Sequence, residues 1–315
     1  MAKAGGIRTY QGSVSIVTGG ASGIGRALGA ELAKRGAAEI VIADLQTALA
    51  EEAAEGIRKA GSRATVVGLD VRDKAAVERM VAEVQRSSGR IDYVFNNAGT
   101  GVLGETHLLG ERDWDLTIDV NLRGVVNVIR AVYPRLIAQG YGHLINTASV
   151  AGLVATPFIS VYSATKHAVV GLSKSMRIEA APLGVRVSAL CPGVVRTPLL
   201  TGGAIGGSIY EMSEAQEAAW WERFRPGDVG VFAKQTIDQV AKNQGIIILP
   251  RHNRVFVALC RTFPALEELI GAKVHARTLA AFPEMKTASA KPSPMAVRSA
   301  GEESSGGAGS LGRNR

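Results

Sequence analysis

Hydrophobic positions along the chain gather into seven short runs rich in β-branched residues, at 14–18, 40–43, 64–69, 91–95, 143–149, 185–191 and 246–249. Nearly all are continuous and not alternating, the pattern of strands covered on both faces, as in a parallel sheet. Longer stretches with helical spacing lie between them. Those at 26–35, 47–60 and 74–88 are closed by Gly36, Gly61 and Gly89, where a helix C-terminus favours a left-handed residue. This alternation predicts an α/β fold in a single domain, with a doubly wound parallel sheet of about seven strands.

Two stretches depart from the pattern. Residues 199–230 begin rich in glycine (Gly202, Gly203, Gly206, Gly207) and go on to Tyr210, Trp220, Trp221 and Phe224. So long an excursion between the sixth and seventh strands predicts a lid or substrate loop. Its aromatics either close over a ligand or pack the loop on the sheet. Residues 287–315 turn to Ser, Gly, Ala, Pro and basic residues, which predicts a disordered tail. A short arm, 1–11, precedes the domain, which then spans 12–286.

Composition adds exclusions. With 46% hydrophobic and 20% charged residues among 315, the chain can bury a sizeable core. The net charge of +8 raises the question of nucleic acid, but the basic residues are scattered and aromatics are only 5%. That is too few for a base-stacking surface, so no nucleic-acid partner is expected. The charge reads as a solvated surface plus a basic tail, where Lys291, Arg298, Arg313 and Arg315 face only Glu302 and Glu303. Cys191 and Cys260 form neither a disulfide framework nor a zinc-ligand pattern, so no metal and a reduced, cytoplasmic setting are expected. The first residues lack the apolar core of a secretory signal, and no apolar run is long enough to span a bilayer.

The first strand runs into Thr18-Gly19-Gly20-Ala21-Ser22-Gly23-Ile24-Gly25, with a helix behind it. Backbone N–H groups at a glycine turn and helix N-terminus can approach a pyrophosphate closely, and the strand–turn–helix context favours that use over an ordinary turn. Asp44 ends the second strand about 20 residues further on, where a carboxylate accepts the adenosine ribose hydroxyls. It would repel the extra phosphate of NADP. Ser22 stands before Gly23 and Leu45 follows Asp44, so neither position offers a cation, and NAD is expected over NADP. Asp44 also suits a second job, capping the next helix.

Tyr162 and Lys166 are four apart and so share a helix face. A phenol with a pKa of about 10 is a poor base at neutral pH. An ammonium roughly 4 Å away at an effective dielectric near 20 is worth about 4 kcal/mol. That would lower the phenol by about three units. Such pairs also arise on ordinary surface helices. Ser149, at the end of the fifth strand, is placed to hold a substrate oxygen, or simply to cap a helix.

In order, the glycine turn, Asp70 after the third strand, Asn96-Asn97-Ala98-Gly99 after the fourth, Asn121, Ser149, Tyr162 with Lys166, and Pro192-Gly193-Val194-Val195-Arg196-Thr197 resemble the short-chain dehydrogenase/reductase family in its compact branch, over about residues 10 to 275. The resemblance implies a Rossmann-type fold and a catalytic group of Asn121, Ser149, Tyr162 and Lys166. Tyr162 would transfer the proton, and Lys166 would lower its pKa and bind the nicotinamide ribose. Ser149 would polarise the substrate oxygen, and Asn121 would hold a water in the proton relay, its plain alternative being a helix-interface polar residue. Asp70 and Val71 would contact adenine. Asn97, followed by Ala98 and Gly99, would line the cofactor cleft and brace the central strands. Val195 and Thr197, beside Pro192 and Gly193, would bind the carboxamide.

The reaction expected is hydride transfer between NAD and a secondary alcohol or ketone. The alternatives are an NADPH-dependent carbonyl or imine reductase with the same site, or a dinucleotide sensor without chemistry. Ala151, Leu153, Phe158, Val194 and Leu199 should wall the substrate pocket; they are apolar, so a neutral, fairly hydrophobic small molecule is expected. The resemblance further implies a homodimer or homotetramer formed through the Asn121 and Tyr162 helices. His107 and His143 match no motif and are read as structural.

Overall fold

The computed structural model describes residues 9–201 and 206–286. The tail expected at 287–315, most of the N-terminal arm, and Gly202 and Gly203 lie outside the described residues. In chain order the elements are β1 (Val14–Thr18), α1 (Gly23–Lys34), β2 (Glu39–Asp44), α2 (Thr47–Lys59), β3 (Arg63–Gly68), α3 (Lys74–Ser88), β4 (Tyr93–Asn96), β5 (Gly101–Leu103) and α4 (Glu111–Ile118). There follow α5 (Val125–Gln139), β6 (Gly142–Thr147), α6 (Ser160–Ala180), β7 (Val185–Pro192), β8 (Gly206–Ser208), α7 (Glu214–Glu222), α8 (Val229–Ala241), β9 (Ile246–Leu249), α9 (Asn253–Thr262) and α10 (Pro264–Ala281).

Seven strands form one parallel sheet in the order β3-β2-β1-β4-β6-β7-β9. The order reverses beside β1, so a crevice opens at the carboxyl ends of β1 and β4, where doubly wound sheets take their ligands. The continuous apolar runs become strands buried on both faces, as the all-buried β1, β2, β4 and β6 show. At the sheet's edge β3 buries only Ala64 and leaves Arg63, Thr65 and Gly68 exposed, because an edge strand has only partial cover.

One apolar layer packs α3, α5 and α6 on the sheet through Val77, Met80, Val128, Val132, Val169 and Met176. The other packs α1, α2 and α8 on the opposite face through Leu28, Leu32, Ala50, Ile57, Phe232 and Ile237. A third cluster stands apart at the carboxyl end of the sheet. There β5 and β8 pair in parallel, and Val102, Leu103, Phe158, Tyr210, Trp220 and Met285 pack together. Among the described residues no helix is long and apolar enough to cross a membrane.

His143, on β6, is fully buried. Ser188 donates its hydroxyl proton to the Gln244 carbonyl at 2.7 Å, so it accepts from His143 Nε2 at 2.8 Å. Nδ1 has no partner, and burial drives the imidazole pKa down to about 3, aided by nearby Arg186 and Arg177. The folded state therefore binds fewer protons at this site than the unfolded chain between about 3 and 6.5, and stability rises with pH across that window. Acidification from about 6.5 to about 4 should remove about 3 kcal/mol through this residue. In urea titrations at stepped pH, His143→Phe should flatten that limb; a slope identical to the parent's would show that the acid sensitivity lies elsewhere.

Candidate active site

The glycine turn links β1 to α1. Gly19 and Gly23 take left-handed conformations, with φ of 64° and 50°, which admit glycine most readily. A side chain at Gly23 would come within 3.2 Å of Thr197, so its absence keeps open a gap between the turn and the segment after β7. Gly25 packs against the turn itself: a Cβ there would lie 2.0 Å from the Gly19 carbonyl oxygen. The turn is thus the neighbour that requires glycine at this position. The first turn of α1 carries no acidic residue, and the side chain of its N-cap, Ser22, makes no capping bond. This is a cradle of glycines and helix N–H groups, matched in shape and polarity to a pyrophosphate.

Asp44 does more than either sequence reading supposed. Buried at the end of β2, it accepts from Ala21 N through Oδ2 at 3.0 Å and from Gln46 N through Oδ1 at 3.0 Å. One oxygen thus fixes the glycine turn and the other the entry to α2, and each keeps a lone pair for a ribose hydroxyl. Leu45 beside it is exposed. Across the crevice, Thr18 Oγ1 accepts from Asn97 N and Ala98 N at 2.9 and 3.0 Å, and Asn97 Nδ2 donates back to the Thr18 carbonyl at 3.1 Å. Asn97 therefore ties β4 to β1. Asp70 is held by a bidentate pair with Arg72, which keeps its carboxyl below the usual range even though burial works against it. The Val71 side chain packs into the main core.

Ser149, Tyr162, Lys166 and Asn121 come together beyond the ends of β4 and β6. Ser149 lies just past β6 and heads a short 3₁₀ turn, accepting from Ala151 N at 3.1 Å, so it does cap. Tyr162 and Lys166 sit on the first turns of α6. Lys166 is buried and donates Nζ to the Thr147 carbonyl at 2.9 Å, with that nitrogen 5.4 Å from the centre of the Tyr162 ring. Asn121 stands in a π-helical turn, Asp119–Gly124, between α4 and α5, where a regular helix was expected. Its amide clasps Thr100, with Oδ1 accepting from Thr100 N and Nδ2 donating to the Thr100 carbonyl, both at 2.8 Å. A side chain at Gly99 would lie 3.2 Å from Asn121 Oδ1 and 3.5 Å from Lys166 Nζ, so glycine keeps clear the space that both atoms face.

One expectation is overturned. The Tyr162 pKa is not lowered about three units by Lys166; burial holds the phenol above its ordinary value, with hydrogen bonding from Ser149 acting the other way. Burial likewise brings Lys166 down to about 8. Spacing along the helix counts a Coulomb attraction and omits desolvation, which penalises both charged forms and is the leading cause of both shifts. The Lys166 ammonium also points at a main-chain carbonyl, over the ring and not at the hydroxyl.

The expected pocket walls divide. Ala151 is buried beside Ser149, whereas Leu153 belongs to the main core. Phe158 joins the third cluster, and Leu199 is exposed. Pro192 ends β7, Gly193 N donates to the Leu249 carbonyl at 2.7 Å, and Val195 is buried beside half-buried Val194. Tyr210 and Trp220 are buried, with Trp221 edge-on to Trp220 at 4.3 Å, so these aromatics pack the loop down. The sequence missed the roof supplied by α10. His275 stacks on Phe158 at 5.0 Å and bonds Glu105 at 2.8 Å, while Glu267 accepts from Ala155 N and Phe282 and Met285 complete the cluster. A buried aromatic and a methionine just past a helix were the available signal. Among the described residues no cluster fits a metal ion, and both cysteines are free and buried.

A glycine cradle at the first β–α turn, a carboxylate closing β2 and a Ser–Tyr–Lys group beyond the sheet define an α/β oxidoreductase of Rossmann type. The chain belongs to the short-chain dehydrogenase family, whose model matches residues 13–203. It is 40% identical to the oxidoreductase UcpA of Salmonella typhimurium over 189 residues, 60% of this chain and 71% of that protein. Over 192 residues it is 35% identical to a (2S)-[(R)-hydroxy(phenyl)methyl]succinyl-CoA dehydrogenase subunit, BbsD of Thauera aromatica, covering 60% of this chain and 75% of the other. A short-chain dehydrogenase/reductase from Burkholderia phymatum, solved with NAD, superimposes with a TM-score of 0.72 at 28% identity, over 82% of this chain and 95% of that one.

Two glycines should respond oppositely to the same change. Gly25→Ala forces a methyl into a backbone carbonyl and should cost about 1–3 kcal/mol of stability. Gly56→Ala, on the exposed face of α2 with open space at its Cβ, should gain about 0.5–1 kcal/mol. Urea midpoints check both, and equal shifts would refute the packing role of Gly25.

Proposed function

We propose that the protein is an NAD-dependent dehydrogenase that interconverts a secondary alcohol and a ketone on a neutral, fairly hydrophobic small molecule. The observation that carries this reading is the convergence of Ser149, Tyr162 and a buried Lys166 beside the glycine cradle and the opening over Gly99. The cradle of Gly19, Ser22, Gly23, Ile24 and Gly25 would hold the pyrophosphate, and Asp44 with Leu45 the adenosine ribose. Asp70 and Val71 would flank adenine. Asn97, Ala98 and Gly99 would line the middle of the cleft, with Pro192, Gly193, Val195 and Thr197 at the carboxamide. When bound, the nicotinamide gives or takes the hydride.

The chain's own residues manage the proton. Ser149 holds the substrate oxygen against the Tyr162 hydroxyl. Burial keeps that phenol protonated at neutral pH, so Tyr162 is poised as the acid of carbonyl reduction. Lys166 steadies the charge left on the phenolate, and Asn121, facing the same opening over Gly99, holds the relay water. The solved NAD complex of the Burkholderia phymatum relative and the buried Asp44 carboxylate both favour NAD over NADP. The apolar roof of Phe158, Trp220, Phe282 and Met285 supports a substrate without charge. Two free thiols fit a reducing, cytoplasmic setting. Exposed Ile178 on α6 and nearby Leu183 support association into a homodimer or homotetramer through that face.

In a panel of cyclic ketones and secondary alcohols, Tyr162→Phe should lower kcat by about a thousandfold while leaving NAD affinity within a few-fold. A rate near the parent's would remove the proton-transfer role. Asp44→Asn keeps the side chain's volume and loses the charge that repels a phosphate. It should move the NAD-to-NADP preference toward NADP by about tenfold or more, on the worth of a charged hydrogen bond. An unmoved ratio would end the ribose assignment.

A further inference from the structure

The two C-terminal helices carry an apolar face that the fold leaves uncovered. On α9, Val257 and Cys260 are buried against the main core. The opposite side of such a helix is ordinarily polar. Here it presents Val255 at 64% exposure and Leu259, one turn on, at 44%. Phe263, at the junction with α10, is 57% exposed, and Leu269 on α10 is 52% exposed. The inward side of α10 is accounted for by Glu267, His275 and Thr278, so Leu269 lies on its outer side.

Cations surround this apolar strip. Arg251, Lys273 and Arg277 are all exposed, and no ion pair with a described carboxylate engages any of them. The acidic residues of the hairpin are Glu267, which is turned inward to Ala155 N, and Glu268. A symmetric contact between two copies would set these like charges against each other. An anionic surface meets them with opposite charge and takes up the apolar side chains.

We propose that the α9–α10 hairpin docks the protein on an anionic phospholipid surface, with Val255, Leu259, Phe263 and Leu269 entering the headgroup boundary and Arg251, Lys273 and Arg277 pairing with lipid phosphates and carboxylates. This is peripheral attachment, distinct from a span, and it does not depend on the reaction proposed above. Lipid recognition and turnover are therefore separable.

The test is flotation of the full chain with vesicles of phosphatidylserine and phosphatidylcholine in equal parts, beside vesicles of phosphatidylcholine alone. The protein should float with the anionic vesicles, more strongly at low salt than at high, and weakly with the neutral ones. Two double variants, Leu259→Ser with Phe263→Ser and Lys273→Glu with Arg277→Glu, should each lower partitioning by about tenfold or more. Oxidoreductase turnover of a water-soluble substrate should stay unchanged in both. Failure of the parent chain to float at low salt would overturn the proposal, as would flotation that neither double variant weakens. If the variants instead lower the sedimenting mass without lipid and leave flotation intact, the strip is a contact between copies and the proposal fails.

Discussion

Burial of the Lys166 ammonium is the constraint around which the carboxyl end of the sheet is arranged. Among the described residues no carboxylate pairs with it, and its nitrogen donates to the Thr147 carbonyl. An unpaired buried charge is costly, and the chain accommodates it by bringing the lysine down to about 8 and holding the Tyr162 phenol neutral. Neighbouring residues are placed accordingly. Gly99 and Gly101 keep side chains away from Lys166 and the Tyr162 ring, and Asn121 holds Thr100 so that this segment stays put. Lys166 is thereby brought close to the threshold of ionisation, while the buried phenol keeps its proton until something in the opening favours its charged form.

The same economy of position governs the glycine turn. Asp44 fastens Ala21 and Gln46 at once, and Thr18 fastens Asn97 and Ala98. Three strand ends are thus locked together by side chains, and the Asp44 carboxylate alone of these two still has lone pairs to spare. Helix N–H groups and a left-handed turn can serve an anion only if their direction is fixed, and here the fixing is done by polar groups of the strands themselves.

How much of this could be read from residues alone follows from what each feature depends on. The strand runs, the closing glycines and the glycine turn depend on local periodicity and backbone freedom, and each lies where the sequence placed it. So does the Tyr162–Lys166 helix face. The π-turn at Asn121 was not legible, because one shifted hydrogen bond changes no residue pattern. The direction of the Tyr162 shift was not legible either, since spacing gives the Coulomb partner and only the packed structure gives the desolvation. The pairing of β5 with β8 joins two three-residue segments about a hundred positions apart, and neither shows a strand's pattern. His275 stacked on Phe158 is a contact between chain regions even further apart.

That last contact bears on how the outer half of the molecule works. The family match ends at residue 203, whereas the third apolar cluster is completed by α7, α10 and the turn after it. Phe158, held at a left-handed φ of 68°, is a bulky residue in a conformation that costs energy unless its surroundings impose it. The stack with His275 and the Glu105 bond supply that imposition from α10. Phe158, proposed to wall the substrate pocket, therefore depends on a helix whose other side carries exposed apolar and cationic residues. Leu269, Lys273 and Arg277 on the outer side of α10 take no part in that stack, so the two sides of one helix of 18 residues carry separate tasks.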